Sequence, residues 1–317
     1  MHGGGQRQGF DSAPPASWPR SAWGWLYGRP YLLLTLTALS WAGNAIASRL
    51  AVDEISPMAL TTLRWLGVCV FLGPAMRREV AAQWPLLAPR WRSILVMGAL
   101  GFTAFNALMY AAAHSTSAVN ITILQGGVPV FVLLGGLVAF GTRISALQAL
   151  GTGVTILGVT IVAAHGDLAT LAGLAFNLGD VAMLVACACY AVYTLMLRDR
   201  PPVSGFVFFA VLAASSLLIS LPLLGAEIAT GRVIWPGPKG WAILLYVTLF
   251  PSLLSQIFYM RGVELIGPGR AGLFVNLVPV FGALLAVVIL GEPFGLYHAV
   301  ALALVLGGIG LAEQGRR

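Results

Sequence analysis

Residues 276–293 read NLVPVFGALLAVVILGEP, a run apolar enough for lipid with a proline, Pro279, inside it. A degraded twin, GGVPVFVLLGGLVAFGTR, occupies residues 126–143. At an offset of 150 the two share Val-Pro-Val-Phe (128–131 against 278–281), then Leu134/Leu284, Val138/Val288 and Gly141/Gly291. Prolines at the same depth of two long apolar segments, one per half, point to a duplicated chain with a binding site between the copies.

Composition agrees with a lipid setting. Hydrophobic residues make up 58% of the 317-residue chain and charged residues 9%, against roughly 25% charged in soluble domains. Such a chain lacks the polar surface to face water, so we expect an integral membrane protein whose first partner is the bilayer. The formal net charge of +7 is a matter of loop topology, not a nucleic-acid patch. Cys69, Cys187 and Cys189 lie inside apolar runs and form no disulfide framework or metal clip. Residues 1–30 form a Gly/Pro/Ser/Arg-rich tail without the apolar stretch of a signal peptide; its Trp18, Trp23, Trp25 and Tyr27 suit the membrane interface.

A span needs about 20 mostly apolar residues, and ten fit: 31–50, 57–76, 92–113, 118–139, 146–164, 176–197, 205–224, 241–261, 268–289 and 295–313. The expected fold is an all-α membrane protein of ten transmembrane helices, divided into repeats at 31–164 and 165–317. One set of loops and ends, with immediate flanks, holds 14 arginines (7, 20, 29, 77, 78, 90, 92, 143, 198, 200, 261, 270, 316 and 317). The other set holds three basic residues, Arg49, Arg232 and Lys239, so both termini are expected in the cytoplasm. Five spans per repeat is an odd number, so the second copy enters the membrane upside down. Inverted repeats suit alternating access, because exchanging the repeats' conformations exchanges the open side. Small residues crowd the fifth and tenth spans, as tight helix packing requires.

Polar residues inside the spans fall on single helix faces. Trp41 and Asn44, Asn106 and Tyr110, Tyr190 and Tyr193, and Gln256 and Tyr259 lie at helical spacing; Gln125 and Asn276 stand just before Pro129 and Pro279. These ten are the expected substrate contacts. Pro129 and Pro279 each lack an N–H and clash with the carbonyl four residues back. The acceptors of Gln125 and Val275 are thereby freed at mid-depth, where an unpaired polar group is costly. Pro129 and Pro279, with Gly126 and Gly127, are the expected hinges, and Pro129→Ala or Pro279→Ala should lower transport without lowering membrane abundance. No Asp or Glu lies in the middle third of a span, so proton coupling finds no support and facilitated diffusion is the default. Arg64 stands about eight residues into span two; snorkelling outward or pairing with a carboxylate such as Asp53 or Glu54 is expected there in preference to a substrate role. A cavity of amides, hydroxyls and rings suits a neutral or zwitterionic substrate with an apolar or aromatic side chain.

The Pro-Val-Phe motif followed by Leu-Gly-Glu-Pro in the second copy, the Arg64-Trp65 pair and the two five-helix halves resemble EamA-type members of the drug/metabolite transporter superfamily over about residues 31–313. Among these the chain looks most like the bacterial aromatic amino-acid exporters. The resemblance implies an inner-membrane exporter with a central cavity lined from both repeats. Thr142 stands where the second copy has Glu292, a departure that weakens any symmetrical role for that acid. The expected activity is export of aromatic and other apolar amino acids, or similar small amphipathic metabolites, from cytoplasm to periplasm. Alternatives are another metabolite or drug class, or a non-transporting scaffold subunit. No enzyme chemistry, metal or cofactor is expected, and a monomer is the default.

Overall fold

The structure, a computed structural model, describes residues 23–141, 143–167 and 177–315. Most of the N-terminal tail, with Trp18, and Thr142 lie outside the described residues. Among the described residues, nine helical runs are long and apolar enough to cross a membrane. One of them, Pro57–Ala112, has 56 residues, about 84 Å at 1.5 Å per residue and far beyond a bilayer core of about 30 Å. It turns back on itself at Ala88–Arg90, since Arg64 near its start bonds to Asn106 and Tyr110 near its end. That makes ten crossings.

In chain order the helices are α1 (Pro30–Leu50), α2 (Pro57–Leu87), α3 (91–112), α4 (Ala118–Gln125), α5 (Val128–Phe140) and α6 (Ala146–Ala163). The second half holds α7 (Leu178–Met196), α8 (Gly205–Ala229), α9 (Pro238–Ile266), α10 (Pro268–Val275), α11 (Val278–Leu290) and α12 (Leu296–Gln314). The expected spans fall on these helices, with one clear overrun. α2 continues through 77–87, read from sequence as loop; RREVAAQ favours helix, Pro85 is carried in the last turn, and Trp84 is left exposed. The surface is apolar where lipid would lie, with Val138, Val288 and Leu296 mostly exposed. Exposed tryptophans mark both rims: Trp25, Trp84 and Trp91 at one, Trp235 and Trp241 at the other.

The halves match element by element at an offset of 150. Seven-residue π-helical stretches, Gly98–Ala104 in α3 and Thr248–Leu254 in α9, occupy equivalent places. Helices α5 and α11 both end on a left-handed glycine, Gly141 (φ 61°) and Gly291 (φ 66°), where a Cβ would be strained. Packing is exchanged between halves as a two-fold demands: α7 lies on α3 and α1 on the second part of α9, while α11 lies on α1 and α5 on α7. The self-paired contacts are α2 with α8 and α6 with α12.

Spans four and nine are interrupted, not merely bent. The chain leaves the helix at Gly126–Gly127 and at Asn276–Leu277, through i→i−3 bonds such as Gly127 N to Leu124 O (2.9 Å) and Leu277 N to Phe274 O (3.0 Å). Pro129 and Pro279 then sit in the first turn of α5 and α11, where the missing N–H costs nothing. The paired residues adopt nearly the same backbone, with Gly126 at φ −60°, ψ −14° and Asn276 at φ −67°, ψ −12°. Glycine is therefore not needed for the torsions. Gly126 is needed for space, since a Cβ there would collide with Val305 of α12.

One pair breaks the symmetry. At the arginine-poor face α4 packs on α11, Gly282 lying against Thr122. The equivalent pair at the arginine-rich face, α5 and α10, has no comparable packing. Polar ties reinforce the closed side. Glu292 accepts from Ala118 N (2.9 Å) and Val119 N (3.0 Å) at the start of α4 and lies 3.8 Å from Arg49. Glu227 likewise caps α2, accepting from Ser56 Oγ (2.6 Å) and Ala59 N (3.2 Å), and Lys239 pairs with Glu54 at 3.1 Å. Buried Asp180 of α7 accepts from Thr116, faces His165 at 3.5 Å, and connects through Asn120 of α4 to His298 of α12.

Candidate functional site

The two chain breaks, the two π-helical stretches, the middles of α1 and α7 and the N-terminal third of α2 meet around one central cavity of about 170 Å³. A second recess, between α2 and α8, is walled almost wholly by apolar side chains and has no cluster of polar groups to orient a solute.

Of the expected contacts, Trp41, Asn44, Asn106, Gln125, Tyr190, Gln256 and Asn276 line the central cavity, as do the hinge residues Gly126, Pro129 and Pro279. Tyr110, Tyr193, Tyr259 and Gly127 are not in its lining. The tyrosines stand one layer back. Tyr193 packs behind Tyr190 (ring centroids 5.3 Å) and over Gly101, whose missing side chain leaves room for the ring. Tyr259 packs on Trp41 at 5.4 Å, and Tyr110 is buried with its hydroxyl bonded to Arg64 and Asn44. Trp41 is further fixed by its indole N–H, which donates to Pro251 O at 3.1 Å. Thr37 and Ser48, on the same face of α1 in sequence, bond to backbone carbonyls instead.

The expectation for Arg64 is corrected. It reaches neither Asp53 nor Glu54; the latter pairs with Lys239. Its side chain turns inward, is 4% exposed, and is the one charged residue in the cavity lining. Nε donates to Ser252 Oγ (2.5 Å) and Nη1 to Asn106 Oδ1 (2.6 Å), Asn44 Oδ1 (3.3 Å) and the Tyr110 hydroxyl. Each acceptor is itself placed. Ser252 donates to Val247 O, five residues back in the π-helical stretch, and Asn106 Nδ2 donates to Phe102 O at 2.6 Å. The guanidinium carbon lies 5.2 Å from the Trp65 ring centroid, and Trp65 in turn stacks on Phe102 (4.8 Å, 7° between planes).

Two buried polar atoms in this wall have no hydrogen-bond partner: Trp65 Nε1 and Gln125 Oε1. Gln125 Nε2 reaches only the thioether of Met109, at 3.9 Å. Among the described residues nothing donates to the backbone carbonyls of Gln125 and Val275, which Pro129 and Pro279 leave without an N–H. Both residues line the cavity. Sequence reasoning missed Arg64, Trp65, Phe102, Phe105 and Ser252 as lining. A lone arginine in an apolar span was the available signal for the first; the aromatic residues look like any lipid-facing ring until the fold is known.

The EamA-like transporter family model matches residues 28–164 and again 177–313, one match per half. The chain belongs to the EamA-like transporter family. It is similar to an uncharacterized transporter of Archaeoglobus fulgidus (26% identity, covering 89% of this chain and 96% of the other). It is also similar to the "Probable terminal-alkyne amino-acid exporter" of Streptantibioticus cattleyicolor (27% identity, 88% and 90% covered). A solved crystal structure superposes with a TM-score of 0.61 over 89% of this chain and 96% of that one, at 19% identity, a likeness of fold. The protein is thus a multi-pass membrane transporter.

Proposed function

We propose that this family member exports aromatic and other apolar amino acids, or closely similar small amphipathic metabolites, from the cytoplasm by alternating access. The supporting observation is the cavity's position, between two interrupted helices related by the repeat and closed on one side only. The arginine-rich loops favour a reading in which that open side faces the cytoplasm, with both termini there and the protein in an inner membrane. A cavity loaded from the cytoplasm and sealed from the periplasm is the loading state of an exporter. Rings of Trp41, Phe105 and Tyr190 supply faces on which an aromatic or apolar side chain packs, while Gln256 and Asn276 supply polar positions. The Streptantibioticus relative, named for amino-acid export, favours the same substrate class.

The deciding experiment is exchange in liposomes holding the purified full-length protein. Labelled phenylalanine, tryptophan and leucine should be taken up against internal unlabelled amino acid, and charged sugar phosphates should not. Absence of exchange for every amino acid in the panel would sink the substrate assignment.

A further inference from the structure

We propose that Arg64 and the indole N–H of Trp65 form a carboxylate-binding pole in the cavity. Gln125 Oε1, with the carbonyls that Pro129 and Pro279 free, is the opposite pole for an ammonium group. The cavity is then built for an α-amino acid zwitterion, an inference that rests on reading it as the transport site.

A guanidinium does not deprotonate in proteins, so its charge must be met where it stands. Arg64 is buried and its partners Ser252, Asn106, Asn44 and Tyr110 are all neutral; no carboxylate approaches it among the described residues. A charge in a membrane protein's interior without a counter-charge is costly and marks a functional site by default. The existing bonds use Nε and Nη1, which fixes the guanidinium plane, whereas Nη2 donates to none of the described residues. Trp65 Nε1, on the next residue, is a second donor without an acceptor. Both residues line the cavity, the guanidinium carbon 5.2 Å from the Trp65 ring centroid, and two unused donors can serve a carboxylate's two oxygens. An ammonium brings three N–H donors, and unused acceptors are what the interrupted helices leave at Gln125 and Val275. The rival account makes Arg64 a strut joining α1, α2, α3 and α9, needed for any cargo alike.

The test is ligand-induced thermal stabilisation of the purified full-length protein, with L-phenylalanine, phenylalanine amide, 2-phenylethylamine and 3-phenylpropionate as probes. Wild type should be stabilised most by phenylalanine. Arg64→Gln should weaken phenylalanine and 3-phenylpropionate about 10- to 100-fold while leaving the amide and the amine unchanged, as loss of a charge-assisted bond implies. Gln125→Leu should weaken phenylalanine but not 3-phenylpropionate. Should Arg64→Gln not fold, Trp65→Phe keeps every bond of Arg64 and should still lower the two carboxylates selectively. Equal losses for all four probes, or none, would overturn the carboxylate pole. Stabilisation of wild type by 3-phenylpropionate without any amino-acid exchange would instead overturn the substrate reading and leave the pole standing.

Discussion

At the scale of the residue, Arg64 is held by acceptors 20, 42, 46 and 188 positions away in the chain. That explains what sequence showed and what it concealed. An arginine inside an apolar span is visible as an anomaly, and the nearest carboxylates in sequence are its natural suspects. The true partners come from three other helices, and no spacing rule connects them. The same holds for Tyr193 and Tyr259, which share helical faces with lining residues but are screened from the cavity by Tyr190 and Trp41. Asn106 accepts from Arg64 at 2.6 Å and also satisfies Phe102 O. We expect Asn106→Leu to destabilise the protein by about 2 kcal/mol, the loss of a hydrogen bond to a charged group. A melting temperature in detergent equal to wild type would show that the remaining acceptors suffice.

At the scale of the element, the decisive local feature is the interruption of spans four and nine. It was legible because proline is the one residue whose backbone consequence can be read without tertiary context. The π-helical stretches were not legible. They need a local excess of one residue per turn that only packing stabilises. The closed pairing of α4 with α11 depends on Gly282, where a Cβ would overlap the Thr122 side chain. Gly282→Val should therefore force these helices apart at the arginine-poor face and lower exchange while the protein still reaches the membrane. The check is labelling of an Ala283→Cys thiol, buried beside Gly282 in the wild-type background, which should become fast in Gly282→Val. Unchanged labelling would mean that the seam absorbs the extra volume.

At the scale of the whole molecule, the ten crossings and the duplication follow from hydropathy and the offset of 150, whereas the conformational asymmetry does not. Segments α4 and α10 are equivalent in the repeat, yet one is packed along its length and the other is not. That difference lies in the relative placement of two halves, a property no single segment encodes. Glu292, legible from sequence only as a loop acid, and Glu227 each carry a carboxylate from the second half to a helix N-terminus of the first. Such a charge is worth on the order of 1 kcal/mol at a partly exposed helix end. Replacing both by glutamine should shift the resting population towards opening at the arginine-poor face. The expected sign is faster labelling of an Ala283→Cys thiol from that side; an unaltered rate would assign the closed state to apolar packing alone.

The permanent charge on Arg64 also has an electrical consequence. It belongs to the protein and remains when cargo departs, so the current carried in each cycle is set by the cargo alone. A zwitterion moves no net charge, and a membrane voltage worth about 2.3 kcal/mol per elementary charge per 100 mV neither drives nor opposes its exit. A simple carboxylate leaving the same pole carries its charge outward and is hastened by an interior-negative potential. With vesicle voltage clamped by a potassium gradient, phenylalanine exit should be flat with voltage and 3-phenylpropionate exit should rise steeply.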